Sequence, residues 1–185
     1  EHHTDGLVKV AERTTDGHVA RTKRGLKARS WKGIAGPGHT YAIDSSIGDV
    51  YLRSTVNRAW LVGRPIVYIV VDVWSTAIVG FHVCLSGPSW PMAKLAIFSA
   101  VAPPSLMGEL RHYVPILSLR PAPTLPYYLW CDRGEYLSRG AKQFGVELRV
   151  HLQYTPPFRP DLHGIVEVLH RIEKDKIYFF VPGAI

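Results

Sequence analysis

Asp44, Asp132 and Glu167 are carboxylates set where a strand or helix would ordinarily carry an apolar residue. Asp44 ends Tyr-Ala-Ile-Asp, Asp132 follows Tyr-Tyr-Leu-Trp-Cys, and Glu167 stands inside Gly-Ile-Val-Glu-Val-Leu. An unpartnered buried carboxylate is costly, so each calls for a cation, a set of hydrogen bonds or water. Hard divalent cations take oxygen ligands and keep several waters, so two aspartates and a glutamate can hold two Mg²⁺ (or Mn²⁺) ions. Such a pair activates a water or hydroxyl nucleophile and stabilises the leaving oxygen of a phosphodiester during in-line displacement. The three acids are 88 and 35 residues apart. Each alone has an ordinary role: Asp44 can end a strand, Asp132 can cap the helix after it, and Glu167 can be a solvated helix position. Taken with their flanks, the three favour catalysis.

Asp72 is a decoy, an acid inside the very apolar Ile69-Val-Val-Asp-Val-Trp-Ser75. Its place before a turn predicts a carboxylate that accepts hydrogen bonds from the residues that follow. Asp49 and Glu135 lie near the acids in sequence and could tune or replace one. Otherwise Asp49 faces solvent or a basic partner, and Glu135 sits at the N-terminus of its helix.

The elements that must position these groups alternate along the chain. His39–Ser45 reads as a strand, with Val50–Arg53 extending or pairing with it; Ile66–Val73 is a buried Val/Ile strand that turns into Ala77–Leu85 as an antiparallel hairpin. Ser89 as N-cap and an early Pro predict a helix over Pro91–Val101, stopped by Pro103 and Pro104. A helix over 105–117, a strand over Tyr127–Cys131, a helix over Glu135–Phe144 closed by Gly145, a strand over Val146–Val150 and a helix over 162–180 complete a mixed α/β order. On that last helix His163, Glu167, His170, Arg171 and Lys174 share a face, which sets bases beside the acid where phosphates would lie. Arg159 and Arg133 are weaker candidates for the same contact. Trp60, Trp74, Trp90 and Trp130 read as core or interface aromatics rather than stacking platforms.

At 185 residues, 46% hydrophobic and 20% charged, the chain suits one folded domain. It begins at Glu1 and reads as a fragment of a longer protein. Residues 1–38 carry eight Lys/Arg against four acids and read as a basic linker, leaving 39–185 as the core. The net charge of +7 favours a polyanion, nucleic acid before membrane. No apolar run approaches a membrane span. Cys84 and Cys131 in apolar stretches suit buried thiols in a reducing cytoplasm.

Ile43-Asp44 with Asp49-Val-Tyr-Leu52, Gly63-Arg-Pro65, Ile69–Ser75, Cys131-Asp-Arg-Gly-Glu135 and Pro156-Pro-Phe-Arg-Pro-Asp-Leu-His-Gly-Ile-Val-Glu167 together resemble the DDE recombinases. The resemblance is strongest to the TnsB-type transposases, relatives of the phage Mu transposase and of retroviral integrases, and it spans about Gly36 to Ile185. It implies an RNase H-like fold, a five-stranded mixed sheet with helices on both faces. It implies Asp44, Asp132 and Glu167 as the metal-holding triad. It implies metal-dependent cleavage at transposon ends and attack of the new 3′-hydroxyl on target DNA in a bacterial cytoplasm. Partners so implied are double-stranded DNA (ends and target), further copies assembled on DNA, and accessory transposition proteins including an ATPase regulator. His163 stands where relatives carry Lys and Val168 where a polar residue often follows, which touches DNA affinity more than metal chemistry. Two rival readings remain: a nuclease that hydrolyses without joining, and a DNA-binding domain without catalysis.

Overall fold

Every residue of Ile66-Val-Tyr-Ile-Val-Val-Asp72 is buried, as befits a strand covered on both faces and flanked on both edges. In the computed structural model, which describes residues 33–103, 123–154 and 170–171, this strand, β4, lies second in a five-stranded sheet. The others are β1 (Thr40–Ile47), β5 (Ile78–Cys84), β6 (Tyr128–Cys131) and β7 (His151–Tyr154), in the order β5-β4-β1-β6-β7. β5, β4 and β1 are antiparallel neighbours; β6 and β7 run parallel to β1. A two-stranded arm, β2 (Leu52–Arg53) with β3 (Leu61–Gly63), stands apart from this sheet. The strand expected at Val50–Arg53 therefore pairs with β3 and not with β1.

Residues alternate along β1 and β6 between two cores, as the period of two requires. Tyr41, Ile43, Leu129 and Cys131 face one core with Tyr68 and Val70; Ala42 faces the other with Val67, Ile69 and Val71, against which Trp130 packs. Both described helices, α1 (Trp90–Val101) and α2 (Arg139–Glu147), bury residues in the first core, among them Ala93, Ala96, Ile97, Ala100 and Ala141. Helices on both faces are thus seen on one face among the described residues.

The small residues on α1 let it lie close to β5. A Cβ built on Gly80 would meet the Ala96 carbonyl at 2.7 Å and Ala100 Cβ at 2.8 Å. Ser99 on α1 crosses the same gap, accepting from Phe81 N–H at 2.9 Å. α1 starts at Ser89 as expected, but the Ser89 hydroxyl does not cap it; its carbonyl accepts from Met92 and Ala93 N–H.

Two boundaries differ from expectation after Asp132. The helix foreseen over Glu135–Phe144 is a 3₁₀ turn (Glu135–Leu137) followed by α2, which Ser138 caps through its hydroxyl to Ala141 N–H at 3.3 Å. α2 runs through Gly145 to Glu147, so the strand expected at Val146–Val150 lies instead at His151–Tyr154. Gly145 permits close passage of the returning chain, since a Cβ there would meet the Val150 carbonyl at 2.9 Å. The helix expected over 105–117 and most of that over 162–180 lie outside the described residues; His170 and Arg171 are helical. Among the described residues no helix is long and apolar enough to cross a membrane.

Candidate active site

Asp44 stands on β1 opposite Ile69 of β4, and Asp132 follows the last residue of β6. The parallel register of β1 and β6 pairs Thr40 with Tyr128, Tyr41 with Leu129 and Ala42 with Trp130. Two residues beyond the last pair, Asp44 on β1 and Asp132 just past β6 stand at the corresponding positions of neighbouring chain segments. Each carboxylate is oriented in the same way: Oδ1 of Asp44 accepts from Ser45 N–H at 2.8 Å, and Oδ1 of Asp132 from Arg133 N–H at 2.6 Å. Asp44 is half-buried and Asp132 exposed, so the pair opens to solvent at the C-terminal end of the parallel strands.

Asp72 is placed differently. It pairs with Tyr41, three residues and about 10 Å back along β1 from Asp44, and by register on the other side of the sheet. It is 0% exposed, and the turn uses both its oxygens: Oδ1 accepts from Gly38 N–H at 3.1 Å, Oδ2 from Ser75 N–H at 3.0 Å and Ser75 Oγ at 2.5 Å. Asp49 pairs with Arg64 across the root of the arm. Glu135 opens the 3₁₀ turn after Asp132 and accepts from the Tyr68 hydroxyl at 3.4 Å.

That last contact belongs to a tie the sequence did not disclose. The Tyr68 hydroxyl on β4 also accepts from Ser89 N–H at 2.8 Å, so one buried phenol joins β4, the start of α1 and the turn that follows Asp132. In sequence Tyr68 is one more large residue of a buried strand, and no local signal distinguishes it. Burial first, and then the Glu135 charge, push its hydroxyl up to about 12, so it remains protonated. Cys131, directly before Asp132, is pushed up to about 12 by burial, then by Asp132 and Glu135. Tyr136 is raised well above its usual value by burial, with the charges of Glu135 and Asp44 adding to it. Burial leads each of these shifts, and the neighbouring acids add to it.

Glu167, Arg159, His163 and Lys174 lie outside the described residues, so the third acid and most of the expected basic face are not placed. Among the described residues no three His, Cys, Asp or Glu side chains gather as a metal-binding group. Arg133 and Arg171 are exposed. His170 is 5% exposed. Of the tryptophans, Trp90 is core, whereas Trp60 and Trp74 are exposed.

A family model described as the TnsB C-terminal domain matches residues 42–183. The transposon Tn7 transposition protein TnsB of Escherichia coli is 32% identical over 178 residues, covering 96% of this chain and 25% of that protein, so the chain spans about a quarter of its relative's length. The fold is similar to that of a simian T-cell lymphotropic virus intasome in complex with the PP2A regulatory subunit B56 gamma (TM-score 0.52, 19% identity, 85% of this chain and 44% of that one). It is also similar to the HTLV-2 integrase catalytic core domain in complex with magnesium (TM-score 0.50, 16% identity, 77% of this chain and 71% of that one). These likenesses identify the five-stranded mixed sheet as that of an integrase core, the RNase H-like fold. By the match of its residues 42–183, the chain is a transposase/integrase-type domain that belongs to the TnsB C-terminal domain family.

Proposed function

We propose that this domain cuts phosphodiesters at transposon ends and joins the freed 3′-hydroxyl to target DNA, with Asp44, Asp132 and Glu167 holding two Mg²⁺ or Mn²⁺ ions. The observation that carries it is the parallel pairing of β1, which bears Asp44, with β6, which ends just before Asp132, in a member of a transposase family. The donor set fits: two carboxylates, one on β1 and one just past the end of the adjacent β6, each with one oxygen accepting from a backbone amide. Bound ions would activate the nucleophile and offset charge on the leaving oxygen.

The chain's own residues supply the frame. The two amide contacts help to fix the rotation of the Asp44 and Asp132 carboxylates before a ligand arrives. The Tyr68 tie holds the turn after Asp132 against β4 and α1. Arg133, Arg159, His163, His170, Arg171 and Lys174 lie near Asp132 or Glu167 in sequence, and we assign them to the DNA backbone. Double-stranded DNA, further copies of the protein and accessory transposition proteins, an ATPase regulator among them, are the partners this reading implies, in the bacterial cytoplasm. The magnesium-bound integrase core and the viral intasome among the structural relatives support it by analogy of fold.

The test uses the full-length protein with uncleaved and pre-cleaved transposon ends and Mg²⁺. Asp44→Asn, Asp132→Asn and Glu167→Gln should each abolish both cleavage and joining while DNA binding persists. Wild-type joining by any one of them removes that residue from the site. Cleavage without joining by the unmodified protein would favour a nuclease, and binding without either would favour a non-catalytic domain.

A further inference from the structure

The β2–β3 arm leaves the sheet just past Ile47, three residues and about 10 Å along β1 from Asp44, which is about three base-pair rises of a duplex. Its root is fixed. Gly48 N–H donates to the Pro65 carbonyl at 2.7 Å, Arg64 Nε donates to the Gly48 carbonyl at 2.9 Å, Arg64 pairs with Asp49, and Val50 is buried. Its tip is ordered by its own hydrogen bonds. Ser54 N–H donates to the Trp60 carbonyl at 3.0 Å, Trp60 N–H to the Asn57 carbonyl at 3.0 Å, Ala59 N–H to Asn57 Oδ1 at 2.9 Å, and Arg53 Nη1 to the Arg58 carbonyl at 3.0 Å.

The arm's shape therefore rests on backbone and polar side-chain contacts within it, and its apolar side chains are left exposed: Val56 is 86% exposed, Trp60 61% and Leu61 61%. A cluster of large apolar groups held rigidly in water marks a contact surface. Between Val50 and Gly63 the arm carries two arginines, Arg53 and Arg58, and no acid, so its charge complements a polyanion better than an apolar protein groove.

We propose that this arm distorts the DNA held at the acids: one of its exposed apolar side chains, Trp60 foremost, wedges against a base step while Arg53 and Arg58 meet the flanking phosphates. The inference rests on the reading of the domain as a DNA strand-joining core. Apolar wedges unstack base steps and bend the duplex, and an aromatic face accepts the base so released. A step opened by the arm bends the helix axis there.

The test uses the full-length protein and duplexes carrying 2-aminopurine at successive positions, with Ca²⁺ in place of Mg²⁺ so that binding is read without reaction. The unmodified protein should raise the emission at one step. Trp60→Ala/Leu61→Ser should remove that rise, and Trp60→Phe should keep it, with circular dichroism unchanged. With Mg²⁺, joining into intact duplex by the double variant should fall about tenfold or more, and a target mismatched at that step should restore it, because the unstacking is then already done. An unchanged emission rise in the double variant, or a loss of joining that the mismatch does not restore, overturns the proposal; loss of assembly with another protein alone would assign the arm to that partner instead. If the unmodified protein unstacks DNA but joins no strands, the strand-joining reading fails and the wedge stands. If it joins strands and raises emission at no position, the wedge fails and the strand-joining reading stands.

Discussion

Asp72→Asn and Asp132→Asn should have opposite signatures, although both remove one carboxylate from the end of a sheet strand. Asp72 accepts three hydrogen bonds, one on Oδ1 and two on Oδ2. An asparagine has one acceptor oxygen; turned to serve both Ser75 donors, it aims its amide at the Gly38 N–H, donor against donor. Losing one bond to a charged acceptor costs about 1.5–3 kcal/mol, and weakening two others to neutral strength adds about 1 kcal/mol. Ser75 is exposed and water makes up part of the difference, which leaves about 3 kcal/mol. For a domain of this size that is a fall in Tm of about 6–12 °C. Asp132 is exposed, and the oxygen of an asparagine can keep its Arg133 contact, so that variant should stay within about 0.5 kcal/mol of the parent. The assay is thermal unfolding by circular dichroism, run beside Mg²⁺-dependent joining normalised to the folded fraction. Asp72→Asn should be unstable but active per folded molecule, Asp132→Asn stable and inactive. A stable, inactive Asp72→Asn would show that Asp72 belongs to the reacting site and that the assignment of the acids is wrong.

Gly80→Ala should destabilise the domain by about 1–3 kcal/mol in urea unfolding, because its Cβ would meet α1 backbone at 2.7 Å and neither element can retreat cheaply. Cys131, buried and with its thiol pushed up to about 12, should resist alkylation at pH 8 in the folded protein and react on unfolding; rapid labelling in the native state would contradict its burial. Burial lowers the His82 pKa below 6.5, so the folded state favours neutral imidazole. The stability this represents is present above 6.5 and is lost as pH falls through the lower folded value; His82→Gln should therefore lose less stability between neutral and acid pH than the parent in unfolding measured across that range.

The long strands were legible because their burial is written as composition: Ile66–Val71 is an unbroken apolar run, and β1, β4, β5 and β6 appear near their expected places. The arm was not legible, since β2 and β3 are two and three residues long and their apolar side chains face water, the reverse of the pattern that announces a strand. After Asp132 the local signals misled. Val146, Leu148 and Val150 alternate like a strand, yet Val146 and Leu148 are exposed as the chain leaves α2, and Gly145 is a packing glycine rather than a stop. The acids could be nominated from their apolar flanks, because a charge in such a setting demands an explanation. That Asp72 is held by Gly38 while Glu135 is held by Tyr68 depends on contacts 34 and 67 residues apart, which no window of sequence contains.

The pairing of β1 with β6 joins residues 88 positions apart, Ala42 with Trp130 among them. Closing so long a loop costs entropy before any contact repays it, so this edge of the sheet should form late, after the β1-β4-β5 meander has been completed by local pairing. Asp44 spends that interval without its neighbour. A growing chain on the ribosome carries the first acid well before β6 is made, and a partly unfolded molecule loses the pair when that one seam opens. Under the strand-cutting function proposed above, the hazard of such chemistry would be tied to the completeness of the fold: Asp44 gains its neighbour only in molecules whose β1 and β6 have met.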